Sequence, residues 1–176
     1  MNNEDKIFQY LDSNPEIDES VFLAPGAKII GDVKIGSGSS IWYNTVVRGD
    51  VNYITIGKRT NVQDLSMLHV TAKLFPLVIG DEVTIGHSVT LHGCILKDRT
   101  FIGMGATILD GAIVESDSMV AAGAVVRQNF TVPSGKLVAG VPAKIIRDLT
   151  KDEIDNIAAS ADRYKKYTDI TINSLK

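Results

Sequence analysis

The 176-residue chain has one cysteine, one tryptophan, three histidines and five prolines, and aromatic residues make up only 6% of it. Each shortage excludes something. A lone cysteine, Cys94, makes no internal disulfide, so oxidised cross-links do not hold the fold. No apolar run approaches the roughly 20 residues needed to span a bilayer. There is no basic block and the formal net charge is −3, which argues against a nucleic-acid partner. The opening MNNEDKIFQYLDSNPEIDES is polar and acidic, unlike a secretory leader, and a cytoplasmic protein is the expectation. The length suits one domain. Few aromatics beside 15 glycines and many Val and Ile favour β structure with tight corners over a helical bundle.

What the chain does have is aliphatic residues at an interval of six. Leu23, Ile29, Ile35, Ile41 and Val47 form one series, followed by Ile56, Val62 and Leu68, then by Ile79, Ile85 and Leu91. Leu96, Ile102, Ile108, Val114, Val120 and Val126 complete the pattern. Neither the 3.6-residue period of a helix nor the two-residue alternation of a half-buried strand gives this interval. A short strand, a corner and another short strand do, with one aliphatic side chain per hexapeptide pointing inward. Three hexapeptides close a triangular coil of 18 residues. Coils stack at the strand spacing of about 4.8 Å, which is a parallel β-helix. The phase breaks locate insertions. Val47 to Ile56 is nine residues, Leu68 to Ile79 is eleven with the surplus in TAKLFPL, and Leu91 to Leu96 is five, at HGC. Pro76 fits a loop leaving the solenoid.

The expected organisation is an N-terminal extension over 1–20, the β-helix over 21–148, and a C-terminal helix and tail over 149–176. Thr150 and Glu153 form a capping box. Ile154, Ile157, Ala158, Ala161 and Tyr164 follow at helical spacing. The helix is expected along the solenoid or over a neighbouring subunit.

Two of the three histidines, His87 and His92, stand in VTIGHSVTLHGC. Leu68 and Leu91 take the same face of successive coils, because their separation of 23 is one coil of 18 lengthened by the five extra loop residues. His69 and His92 each follow those leucines by one place. They should point the same way about 5 Å apart, near enough to share a metal with bonds of about 2.0–2.1 Å. His87 follows Ile85 by two places, on the preceding face, and points elsewhere. If all three bind one ion, the third must come from another copy, and association about a threefold axis supplies it. Arg48 follows Val47 on the face of Leu68 and Leu91, and Gln63 follows Val62 on the face that carries His87. Polar residues thus gather on the two sides that hold the histidines. On spacing alone, solvent-facing or capping histidines stay open, as does a purely structural Arg48–Asp50 salt bridge.

Taken together, SIWYNTVVRGDV, TNVQDLSMLHV, IGDEVTIGHSVTLHGC, FIGMGA and VAGVPAKIIRDL resemble the gamma-class carbonic anhydrase family, from about Pro25 to Leu149. The resemblance implies an all-β solenoid, a left-handed parallel β-helix with a C-terminal α-helix. It implies a homotrimer with zinc, or iron or cobalt, between subunits, acting on carbon dioxide and bicarbonate. Carried over, His69, His87 and His92 are metal ligands and Arg48 and Asp50 form an interface ion pair. Gln63 lies beside the bound solvent or bicarbonate, and Asp64 joins the polar network. Three neutral imidazoles leave a position for a water whose pKa the metal lowers to about 7. Met67 and Tyr164 are candidates to line a shallow carbon dioxide pocket, with simple packing the alternative for each. The chain departs from the most active members: TAKLFPL has no carboxylate and no Glu follows RGDV directly, so proton export and turnover are expected to be slow.

Two other functions stay open. A hexapeptide acyltransferase uses the same solenoid, one interface histidine as general base and acyl-CoA along the coils, but has no need of three converging histidines. A non-catalytic metal-binding trimer would carry the same ligands. Cys94 is expected as a buried corner residue and Trp42 as core or interface packing. The glycines of IGMGA read as corners, since they do not join a strand to a helix as a dinucleotide loop would. Ser66 and Ser88 lack a triad context.

Overall fold

The computed structural model describes residues 8–174, so the ends of the expected N-terminal extension and C-terminal tail, 1–7 and 175–176, lie outside the described residues. The chain winds into a parallel β-solenoid of about seven turns followed by one α-helix, the architecture expected from the six-residue interval. Each turn gives one short strand to each of three faces. On the first face Phe22–Leu23, Ser40–Ile41, Asn61–Val62, Thr84–Ile85, Phe101–Ile102, Met119–Val120 and Lys136–Ala139 stack in order. The second face carries Met67–His69, Thr90–His92, Thr107–Ile108 and Val125–Val126 above 46–47. The third carries Leu77–Ile79, Ile95–Leu96, Ile113–Val114 and Thr131–Val132. It starts as early as Glu16–Ile17, which pairs with 34–35.

The six-residue interval is the core. Ile41, Val62, Ile85, Ile102 and Val120 form one inner column and Val47, Leu68, Leu91, Ile108 and Val126 another, all fully buried. Each such side chain contributes about 1.5–3 kcal/mol when removed from water. Leu23, on the first described rung of its face, is 41% exposed. Cys94 is buried at its corner, and burial pushes its thiol far up, which leaves it inert.

The insertions are absorbed in two ways. The surplus between Val47 and Ile56 is taken up by one strand, Val46–Ile56, that runs through the corner between the second and third faces. It pairs with Lys28–Ile35 across a register shift between Gly31 and Val33. The five extra residues after Leu68 leave the solenoid as a small excursion. It is closed by an antiparallel bridge from Thr71 to Phe75 and by Asn52, whose Nδ2 donates to the Thr71 carbonyl at 3.0 Å.

The helix spans Lys151–Ser174. Its capping box is formed: the Thr150 hydroxyl accepts from the Glu153 N–H at 3.2 Å and the Glu153 carboxylate accepts from the Thr150 N–H at 2.9 Å. It lies on the first face of its own solenoid, burying Ile157, Ser160 and Ala161. Ala158, expected on the inner stripe, faces outward. Ser160 takes the inner place because its Oγ accepts from the buried Thr84 hydroxyl at 2.7 Å. The Arg59 guanidinium ties the helix down by donating to Asp162 at 2.7 Å.

Candidate metal centre

His69 and His92 are direct partners on adjacent rungs of the second face. Nδ1 of His69 stands 3.1 Å from Nε2 of His92, with the ring centroids 5.1 Å apart. The far nitrogen of each ring meets a carboxylate. His69 Nε2 is 3.1 Å from Asp50 Oδ1, and the other Asp50 oxygen accepts from Arg48 at 2.6 Å. His92 Nδ1 is 2.7 Å from Asp110 Oδ1, and both Asp110 oxygens lie 3.1 Å from the donating Thr71 hydroxyl. His87 repeats the pattern elsewhere: its Nδ1 is 2.7 Å from Asp64 Oδ2, while Asp64 Oδ1 accepts from the Tyr43 N–H at 3.1 Å.

These contacts fix the protons. An ionised carboxylate only accepts, so the ring nitrogen facing it carries the hydrogen and the opposite nitrogen of a neutral ring is bare. His69 and His92 therefore aim two lone pairs at each other across 3.1 Å, an arrangement that calls for a cation or a shared proton between them. Two nitrogens bonded to one tetrahedral ion at 2.0–2.1 Å stand about 3.3 Å apart. The donor set fits a metal ion. The surroundings favour the neutral, ligating form of His69. Burial lowers the His69 pKa; the Asp50 hydrogen bond opposes this, and the charges of Arg48 and His92 add to it. For Asp50, burial alone would raise the pKa, but the hydrogen bonds from Arg48 and His69 and the Arg48 charge outweigh it and keep the carboxyl ionised.

His87 does not join the pair. Among the described residues of the chain, no three His, Cys, Asp or Glu side chains gather as a ligand set. His87 lines a cavity of about 330 Å³ with Trp42, Gln63, Asp64, Tyr164 and Tyr167, under the C-terminal helix. Gln63 is the buried polar residue there, and its orientation is set from behind. The Thr84 hydroxyl donates to Ser160, the Asn61 amide donates to Thr84 Oγ1 at 3.0 Å, and Asn61 Oδ1 is left to accept from Gln63 Nε2 at 3.1 Å. Gln63 Oε1, an acceptor, is thereby freed for the cavity. Tyr164 stands edge-on to Trp42 with centroids 5.9 Å apart. Burial, then Tyr167 and Asp64, raises its hydroxyl pKa. Met67 points outward on the second face and is not among the residues lining this cavity.

Arg48 and Asp50, expected as a pair across an interface, already close on each other within the single chain, and Asp50 reaches His69 as well. Sequence reasoning passed over Asp110, Thr71, Asn61 and Ser160. Asp110 carried little signal, since this coil is one residue short at HGC and the register pairs Leu91 with Ile108, which leaves Asp110 one place beyond the position stacked on His92. Thr71 carried none, because it lies in the excursion, where counting by six stops.

Residues 14–49 match the family model described as bacterial transferase hexapeptide (six repeats). A gamma carbonic anhydrase of Arabidopsis thaliana is 53% identical over 163 residues, 90% of this chain, although the chain spans only 59% of that protein. A probable carbonic anhydrase of Methanocaldococcus jannaschii is 46% identical over 91% of this chain and 99% of its own length. Among solved structures, a putative acetyltransferase of Bacillus cereus superposes with a TM-score of 0.90 at 41% identity, covering 95% of this chain and 96% of its own. The repeat, the register of the histidines and the near-complete coverage of the archaeal relative agree: the chain belongs to the gamma-class carbonic anhydrase family of hexapeptide-repeat proteins.

Proposed function

We propose that the protein interconverts carbon dioxide and bicarbonate as a zinc-dependent homotrimer, with His69 and His92 of one protomer and His87 of the next holding the metal. The observation that carries this reading is the pair of facing imidazole nitrogens at 3.1 Å, each ring backed by a carboxylate. A bound zinc ion, or iron or cobalt on the same donors, would act as a Lewis acid that makes water nucleophilic at neutral pH. The chain supplies the rest. Asp50, Asp110 and Asp64 hold the three imidazoles in their ligating tautomers. Gln63 Oε1 accepts the hydrogen of the attacking water, or of bicarbonate in the reverse direction, and so turns an oxygen lone pair toward the carbon. Trp42, Tyr164 and Tyr167 form the aromatic wall of the cavity. The excursion over 71–75 offers no carboxylate for proton export, so turnover is slow. A cytoplasmic setting belongs to the same proposal; no helix among the described residues is long and apolar enough to cross a membrane.

An acyltransferase is the second reading. The name of the Bacillus cereus neighbour favours it, as does a groove of about 400 Å³ beside His87, lined by Phe101, Met104, Met119 and Arg163. Metal-loaded protein separates the two. The expected outcome is one zinc per chain, the mass of three chains, and carbon dioxide hydration in stopped flow that a chelator abolishes. His87→Ala should lose zinc as fully as His92→Ala, and mixing His87→Ala with His69→Ala chains should restore some sites in hybrid trimers. A monomer in solution, or hydration no faster than buffer with zinc bound, overturns the proposal.

A further inference from the structure

We infer that Asp110 is a positioning residue for the metal centre: held by Thr71 and seated over Gly93, its carboxylate fixes the tautomer and ring orientation of His92, so that Nε2 is presented to the ion. The inference rests on the proposal that His92 is a ligand. It stands on three contacts. Asp110 Oδ1 lies 2.7 Å from His92 Nδ1. The Thr71 hydroxyl sits 3.1 Å from both carboxylate oxygens. The same Oδ1 lies where a methyl group on Gly93 would have to go, so the backbone beside His92 is shaped around the carboxylate. The excursion after Leu68 thereby gains a purpose, since it delivers the hydroxyl that steadies Asp110, and its own base is pinned by Asn52 on the Thr71 carbonyl. Carboxylates behind a ligating imidazole are worth about 10–100-fold in metal affinity.

A merely structural role is the alternative, and the fold supplies its own control. One coil further on, Asn129, which the register aligns with Gly111, places its Oδ1 over Gly111 much as Asp110 places its Oδ1 over Gly93. A neutral amide oxygen therefore suffices to fill the space over a corner glycine. A carboxylate is needed only for what an amide does poorly: holding a charge, and accepting without any chance of donating, behind the ring.

The experiment is zinc titration of metal-free protein against a competing chelator at fixed pH, together with thermal unfolding of the metal-free form. Asp110→Asn should unfold at the wild-type temperature yet bind zinc about 10–100-fold more weakly. Thr71→Val should weaken zinc by a smaller factor with the same direction. Asp110→Ala should lose both affinity and thermal stability, since it also empties the corner. If wild-type protein binds zinc and Asp110→Asn binds it equally well, the inference falls while the metal site stands. An affinity loss matched by an equal fall in unfolding temperature also overturns it, by showing a structural role. Wild-type protein that takes up no zinc overturns the metal site, and the inference with it.

Discussion

The coils before Cys94 and those after it use the same hexapeptide, but only the second half keeps step. From Leu96 to Val126 the aliphatic residues recur at six without a break. Their corners are compact, and among the described residues they contribute one side chain, Asp110, to the histidine network. Before Cys94 the phase breaks three times, and Arg48, Asp50, Gln63, Asp64, His69, His87 and His92 all lie there. The regular half shows what the repeat needs in order to fold. The irregular half shows what is added when a chemistry has to be placed on it. A surplus run through a corner carries Asp50 to His69, and an excursion carries Thr71 to Asp110. If this division is real, equal damage to the two halves should cost similar stability but unequal metal binding.

The largest test of that is in the core. Leu91 and Ile102 are both fully buried, one beside His92 and one in the regular coils. Truncating either to alanine should cost about 2–5 kcal/mol in urea unfolding. Only Leu91→Ala should also weaken zinc binding in the molecules that remain folded, because His92 is its immediate neighbour. Similar zinc affinities for the two variants would mean the site tolerates a loosened rung, and the division between halves would lose its meaning.

A sharper comparison uses two glycines. Gly93 and Gly105 both hold left-handed backbone, with φ of +53° and +68°. A methyl at Gly105 meets nothing within 4 Å. Gly105→Ala should therefore cost only the backbone strain, about 1–2 kcal/mol. At Gly93 the methyl would strike Asp110 Oδ1 and the Phe75 side chain. Gly93→Ala should cost more than Gly105→Ala in thermal unfolding and lower zinc affinity, whereas Gly105→Ala leaves affinity unchanged. Equal effects at both sites would place the Asp110 carboxylate outside the design of the metal centre.

The same division explains what could be read in advance. Counting by six found the inner columns, because every coil must bury one aliphatic per face or fail to stack. Correcting for the excursion put Leu68 beside Leu91, and hence His69 beside His92, as the register has them. The count could not say how Val47 reaches Ile56, since nine residues suit a loop as well as the continuous strand observed, and only the strand brings Asp50 to His69. Asp64 was readable as polar company for the histidines, but not as the partner of His87. That contact depends on a rotamer rather than on a register. Ser160 was missed for a related reason. An amphipathic stripe is recognised by its apolar residues, and here the helix buries a hydroxyl to meet Thr84.

The smallest effect belongs to the helix cap, beyond the last regular coil and outside the histidine network. The two-pronged hydrogen bond from Arg147 and the Thr150 N–H hold the Glu153 carboxyl down from 4.5 to about 2. A carboxyl with a lowered folded-state pKa binds its proton more readily when the chain is unfolded. Its contribution is therefore complete above pH 4.5 and is lost as the pH falls toward about 2. Glu153→Gln should flatten that acid-dependent part of the thermal unfolding profile, followed by far-ultraviolet circular dichroism, and leave zinc affinity at neutral pH untouched. The group is solvent-exposed, so the change should be slight and should shrink further in high salt. Were Glu153→Gln to weaken zinc binding, the helix end would be coupled to the metal centre through Ser160, Thr84 and Asn61, and the division between the halves would not confine the effects on the metal to the irregular coils.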